Sequence, residues 1–344
     1  MNSSNIELLF KAHVSKNEEL FNELALNIIK EEEMRNHHLV ASRLKKILEN
    51  DIFYSSNSNL IKHNLPPIPR DNEKGFPLLE IKKYLYTWND LIVDSKLTEI
   101  LKEVVRENNN SQLLVSYGLK PKNKIILSGP PGTGKTLSAK ILSSEMGYPL
   151  LVVRFDSVIS SFLGETSSNL RKIFDYIEMG KWVVLFDEFD IIGKKRDDPT
   201  EHGEIKRVVN NFMLMLENYT GDSILLAASN HPHILDDAVW RRFDEFLVYS
   251  LPDVELREKI FKNCIKIFNR ESLINYNLLA EETEGFSGSD IEQVSIRAMK
   301  NSILDGKKQL SQDYIENSIM RQKDNLRFKG SLNNGGSFTF TKLQ

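Results

Sequence analysis

The stretch that most constrains this chain is Ile125-Ile126-Leu127-Ser128-Gly129-Pro130-Pro131-Gly132-Thr133-Gly134-Lys135-Thr136. An apolar run of strand type stops at a loop rich in Gly and Pro. A helix-compatible run, Leu137 to Met146, follows. Strand, glycine loop and helix in that order make a phosphate-binding loop. Gly129, Gly132 and Gly134 let the backbone curl until its N–H groups point inward at phosphate oxygens. The new helix adds the partial positive charge of its N-terminus. Lys135 is placed to reach β- and γ-phosphates, and the Thr136 hydroxyl to ligate Mg²⁺.

With 344 residues, the chain is long enough for two or three domains. Its net charge is −3, with acids and bases interleaved, which argues against a general nucleic-acid binder. The single cysteine, Cys264, excludes an intramolecular disulfide and a Cys-based metal cluster. It sits in a helix-like run and reads as packing. No apolar run reaches spanning length and the N-terminus is polar, so a cytoplasmic protein is expected.

Residues 1–62 read as a small N-terminal helical bundle, with stripes such as Leu20, Leu24 and Ile28 recurring every four residues. His37 and His38 are adjacent there and point to different helix faces, a poor metal pair. The Pro-rich stretch Leu65-Pro66-Pro67-Ile68-Pro69 opens a linker over 63–86, although Phe76, Leu78, Leu79 and Ile81 allow a docked segment. Residues 87–252 alternate strands and helices. Strands are expected near 124–128, 149–154, 182–186, 223–228 and 245–249, and helices over Ser95–Glu107, 166–178 and 203–217. That is an α/β domain with a parallel sheet and helices on both faces. Residues 253–328 read as a small helical domain whose last helix runs from Ser311 to Lys323, and 329–344 as a flexible tail.

Val183-Val184-Leu185-Phe186-Asp187-Glu188 is a buried-strand run ending in two carboxylates. In an open parallel sheet, ligands bind beyond the carboxyl ends of the strands. Asp187 can hold Mg²⁺ there. Glu188 can orient and deprotonate the water that attacks the γ-phosphate. The alternative is a strand ending in solvated acids. Ile224-Leu225-Leu226-Ala227-Ala228-Ser229-Asn230 ends at the same edge. Asn230 can bond the water or the γ-phosphate, or serve as a turn residue.

These motifs together resemble the AAA ATPases of the AAA+ group, from about Trp88 to 325. Gly129 to Thr136 resembles the family's Walker A motif, Leu185-Phe186-Asp187-Glu188 its Walker B, and Asn230 its sensor 1. Leu235-Asp236-Asp237-Ala238-Val239-Trp240-Arg241-Arg242-Phe243-Asp244 resembles the second region of homology. There the resemblance implies that Arg241 and Arg242 reach the nucleotide of a neighbouring subunit. Gly285-Phe286-Ser287-Gly288-Ser289-Asp290-Ile291 resembles the stretch where a helical lid touches adenine, and Asp90-Leu91-Ile92 the adenine-side segment. The resemblance thus implies an ATP site lined by Asp90, Leu91, Ile92, the Walker A residues with Leu137, Asp187, Gly288 and Ser289. The arginine pair without an intervening Gly is closest in motif spacing to the katanin- and spastin-like branch. A small stand-alone bacterial-type ATPase has the same look.

Ser160-Ser161-Phe162-Leu163-Gly164-Glu165 is similar to the family's pore loop. This implies that Phe162 and Leu163 grip polypeptide, the alternative being that Phe162 is a core aromatic. Lys194-Lys195-Arg196-Asp197-Asp198 matches a second pore-loop region or a solvated face. The expectation is a Mg²⁺-dependent ATP hydrolase that works as a homo-hexameric ring and pulls protein substrates through a central pore. The rivals are an ATPase feeding a separate protease, since the sequence has no His-Glu-x-x-His or Gly-x-Ser-x-Gly motif, and an ATP-switched nucleic-acid assembly factor.

Overall fold

Two compact units, Met1–Pro67 and Ile68–Gln344, divide the chain. The computed structural model describes residues 67–72, 75–158, 163–189, 202–230, 241–266 and 274–333, with Leu24 and Phe268. The expected N-terminal bundle with His37 and His38, the pore residue Phe162, the run 194–198, the segment 235–240 and the tail beyond 333 lie outside the described residues.

The described elements run in order as β1 (Leu79–Lys82), a 3₁₀ turn (Trp88–Asp90), α1 (Ser95–Asn109), α2 (Ser111–Ser116), β2 (Lys124–Ser128) and α3 (Lys135–Met146). Next come β3 (Leu150–Val153), α4 (Phe155–Val158), α5 (Leu163–Glu178), β4 (Val183–Phe186), α6 (His202–Asn218), β5 (Ile224–Ser229) and β6 (Glu245–Val248). The helices α7 (Val254–Ile265), α8 (Tyr276–Glu282), α9 (Gly288–Leu304) and α10 (Gln312–Asn333) close the chain.

The strands form one six-stranded sheet in the order β1-β3-β4-β5-β2-β6. All neighbours are parallel except the edge pair β1–β3. β4 and β5 are buried along their whole length, which requires cover on both faces. Alternation along β4 sends Val183 and Leu185 to one face, where they join Leu97 and Leu101 of α1 and Ala139, Ile141 and Leu142 of α3. On the other face Phe186 meets Phe174 of α5 and Phe212 of α6 at ring-centroid distances of 5.9 and 5.0 Å. Because the inner strands are parallel, β2, β4 and β5 all end on one edge of the sheet, and the site forms there.

Part of the expected linker is ordered as sheet. Leu78 and Leu79 are fully buried, the Leu78 carbonyl accepts the Arg154 N–H at 3.0 Å, and β1 pairs with β3. Asp71 accepts from the Asn169 amide at 2.9 Å, tying the same stretch to α5. The Pro residues here lie ahead of the strand rather than in it, so they do not remove ladder donors. The second difference is α10, which runs past Lys323 to Asn333. Leu326, beyond the expected end of that helix, packs on the helical core of Phe261, Leu279, Phe286, Ile291, Val294 and Ile315. The unexpected α2 follows α1 directly, with Asn110 capping the junction through its side chain to the Arg106 carbonyl.

Candidate functional site

The loop between β2 and α3 is shaped by close contacts that leave no room for side chains. Gly129 has φ 151°, and a Cβ there would lie 2.2 Å from the Tyr249 carbonyl oxygen. Gly132 has φ 77°, and a Cβ there would lie 2.2 Å from Ser289 Oγ. Tyr249, just past β6, is itself fixed. Its N–H donates to the Ser128 carbonyl at 2.7 Å and its hydroxyl to Ser138 Oγ at 2.8 Å. Burial pushes the Tyr249 phenol up to about 12, partly offset by that hydrogen bond to Ser138. The loop is thus held between the sheet and the helical lid.

Lys135 opens α3 and is 6% exposed. Its ammonium donates to the carbonyls of Gly129 at 2.7 Å and Pro130 at 2.8 Å, which ties the loop across its own mouth. Thr136 Oγ1 donates to Asp187 Oδ2 at 3.2 Å, joining α3 to the end of β4. The residues following Phe186 turn sharply. Glu188 has φ 52°, the single positive φ outside glycine among the described residues. Such a conformation costs about 1–3 kcal/mol and persists only where the surroundings impose it. Its N–H donates to Asp187 Oδ1 at 3.0 Å.

These residues line one cavity of about 650 Å³, within the usual range for small-molecule sites. Its lining includes Pro131, Gly132, Thr133, Gly134, Lys135, Thr136, Asp187, Glu188 and Asn230. It also includes Asp90, Leu91, Ile92, Leu137, Gly288 and Ser289, all named from the sequence. Gly129 and Pro130 act from behind, through the carbonyls that receive Lys135. Asp90 spends its carboxylate on a capping box, accepting from the Thr87 N–H at 2.8 Å. Leu163 begins α5.

The lid is stitched to the loop at its first turn. Ser289 N–H donates to the Gly132 carbonyl at 3.1 Å, and the Ser287–Asp290 capping box fixes the start of α9. Ile92 packs against the lid core. Arg241 and Arg242 do not line the cavity. Arg241 is exposed, and Arg242 Nε pairs with Glu217 of α6 at 3.1 Å.

Sequence reasoning missed Tyr86, Val93, Lys140, Ile260, Asn263, Cys264 and Glu292, which also line the cavity. Cys264, expected as packing, does pack on the lid core but also faces the cavity. Burial, followed by the charge of Glu292, pushes its thiol up to about 11, so it stays protonated near neutrality. Its signal was the helical spacing Ile260–Cys264, one turn apart on one face. Lys140 stands over the Tyr84 and Tyr86 rings at 5.0 and 6.0 Å, a contact formed by a folded-back segment that no local spacing reveals. No helix among the described residues is long and apolar enough to cross a membrane.

Residues 125–251 match the ATPase family associated with various cellular activities (AAA), and residues 274–317 match the AAA+ lid domain. The chain is 35% identical over 295 residues to an uncharacterized AAA family ATPase of Sinorhizobium fredii, covering 86% of this chain and 88% of that one. It is 32% identical to a proteasome-activating nucleotidase of Saccharolobus solfataricus, covering 66% of this chain and 60% of the relative. An ATP-dependent zinc metalloprotease FtsH of Caldicellulosiruptor bescii is 30% identical, with 70% of this chain and 40% of the relative covered. These matches do not single out the katanin- and spastin-like branch. A phosphate loop, a carboxylate pair and a lid around one cavity, joined to these matches, mean that the chain belongs to the AAA family and is an ATP-hydrolysing enzyme.

Proposed function

We propose that this ATPase works as a ring, a homo-hexamer, in which each site is completed by a neighbour and hydrolysis drives the remodelling of a protein substrate. The observation that carries the reading is the division of charged groups. Lys135, Thr136, Asp187, Glu188 and Asn230 converge on the cavity, whereas Arg241 and Arg242 lie outside its lining. A transition state that spreads charge over the γ-phosphoryl oxygens calls for one more cation.

In this reading the N–H groups of the Gly132–Thr136 turn cradle the phosphates, and Lys135 leaves its loop carbonyls to meet the β- and γ-oxygens. The Thr136 hydroxyl and the Asp187 carboxylate, 3.2 Å apart, are the hard oxygen donors that suit Mg²⁺. Bound there, the ion would neutralise charge on the β- and γ-phosphates. Glu188 takes the proton of the attacking water, and Asn230 orients that water or the γ-phosphate. Asp90 to Ile92 and Gly288–Ser289 hold the base. Arg242, parked on Glu217 in the single chain, reaches the neighbour's phosphates with Arg241 alongside.

The substrate is read as polypeptide, pulled by Phe162 and Leu163. The named roles of two relatives, a proteasome-activating nucleotidase and an ATP-dependent metalloprotease, support this, and the first favours a separate protease as one partner.

Mixing two inactive variants tests the shared site. Arg242→Ala alone should bind ATP almost normally and lose about 10³–10⁵ in rate. Mixed with Glu188→Gln, it should regain activity. In such rings an Arg242→Ala subunit keeps its own Glu188 and receives Arg242 from a Glu188→Gln neighbour. Specific activity that stays flat on dilution to monomer, with no recovery on mixing, defeats the reading.

A further inference from the structure

Asp187 and Glu188 are neighbours in the chain, and both line the same cavity. In a regular strand, neighbours point to opposite faces, so this arrangement needs a cause. The register supplies it. β4 and β5 are parallel, with Val184 opposite Leu225 and Phe186 opposite Ala227. Continued one step, that ladder would give the Ala228 carbonyl the N–H of residue 188. It receives the N–H of Phe189 instead, at 2.9 Å. One extra residue has entered the strand, a β-bulge, and Glu188 carries its positive φ.

The side chains follow the same slip. Phe186 faces the aromatic cluster, and Asp187 faces α3, where it meets Thr136. Without the bulge, residue 188 would return to the aromatic face. Phe189 occupies that place. It is 1% exposed, with Phe212 at 5.0 Å and Phe155 at 6.3 Å between ring centroids. A carboxylate would be desolvated there and a phenyl ring is at home, so the two residues compete for one seat with very unequal preference.

We propose that Phe189 is a positioning residue for hydrolysis: by seating its ring between Phe155 and Phe212 it locks the one-residue bulge that turns Glu188 out to the γ-phosphate. The inference rests on the reading that Glu188 activates water. It goes beyond that reading by naming what holds Glu188 in place.

The test combines graded anchors with two controls. Phe189→Leu keeps an apolar occupant and should hydrolyse ATP near the wild-type rate. Phe189→Val should lose part of kcat, and Phe189→Ala about 10²-fold, the scale of an ångström-level misplacement. ATP affinity should hold in all three, because the phosphate loop is untouched. Phe174→Leu perturbs the same cluster without touching Phe189, and should lower Tm while keeping kcat. In a Glu188→Gln background, Phe189→Ala should change the residual rate by no more than about twofold, since residues acting as a unit are non-additive. Residue-resolved amide exchange reads the register directly. Protection at the Phe189 N–H should weaken in Phe189→Val and move toward residue 188.

Wild-type kcat in both Phe189→Val and Phe189→Ala overturns the proposal. So does a rate loss that merely tracks Tm and is matched by Phe174→Leu, or exchange protection that stays at residue 189 while kcat falls. Full activity in Glu188→Gln would instead reject the water-activating role, and the exchange measurement would still decide the register. If Phe189→Ala does not fold, the Leu and Val pair and the exchange pattern decide.

Discussion

On one side of the cavity, Gly129 to Thr136 follow one another in the chain, and one loop supplies what we read as the phosphate cradle. At the hydrolytic edge, Asp187 and Glu188 leave β4 through a bulge, Asn230 follows β5, and Thr136 reaches across from α3. The first end is made by local backbone chemistry. The second is made by strand order, register and the aromatic residues behind the sheet. A group on the phosphate end should therefore control binding, and a group on the hydrolytic edge the chemical step. Variants that mix the two effects would break the distinction.

The largest expected separation comes from Glu188→Gln. The amide keeps the size of the side chain and removes the proton acceptor. The rate of hydrolysis should fall about 10²–10⁴-fold, the usual contribution of a general base. ATP affinity, followed by equilibrium titration, should stay close to wild type. A matched loss of affinity would place Glu188 in the cradle and erase the contrast.

Lys135→Ala attacks the loop side. It removes the ammonium that ties Gly129 and Pro130 and is placed to meet phosphate. Losing one member of such a charged pair costs about 2–5 kcal/mol of binding. Direct ATP titration should show that loss while circular dichroism shows an intact fold. Unchanged affinity would remove this loop from the nucleotide site.

The same contrast explains what the sequence disclosed. The strand–glycine loop–helix order, the five parallel strands and the helical lid are written in local patterns: apolar runs, glycines and 3.6-residue stripes. So is the convergence of β2, β4 and β5, because a parallel sheet aligns their carboxyl ends. β1 was hidden because it is fixed by pairing with β3, and the stretch ahead of it by Arg154 and Asn169, all remote in sequence, rather than by its own alternation. The bulge was hidden for a related reason. Asp187-Glu188-Phe189 reads as the end of a strand, and only the partner carbonyl of Ala228 shows where the extra residue sits. Tyr86 reaches the cavity, and the face of Lys140 on α3, by a fold-back anchored at Ser144, which accepts the Tyr86 N–H at 3.1 Å and donates to the Tyr84 carbonyl at 2.8 Å.

The smallest expected effect tests whether the lid belongs with the phosphate end. Ser287 caps α9, and its hydroxyl lies 2.6 Å from Asp290 Oδ2 and 3.1 Å from Ser289 Oγ. Asp290 is held from its other oxygen by Gln322 of α10 at 2.9 Å. Two residues beyond the cap, Ser289 N–H grips the Gly132 carbonyl, so the cap sets the direction from which the lid meets the loop. Ser287→Ala should cost about 1 kcal/mol of stability, as loss of a helix N-cap does. In a domain pair of this size the corresponding fall in Tm is about 2–4 °C. Saturating ATP should recover part of it, because a ligand that binds only the assembled site stabilises that site. The affinity should weaken a few-fold with kcat nearly unchanged, the pattern of a binding-end residue. If Ser287→Ala instead lowers kcat at saturating ATP, the lid governs the hydrolytic edge as well, and the two ends of the cavity are one mechanical unit.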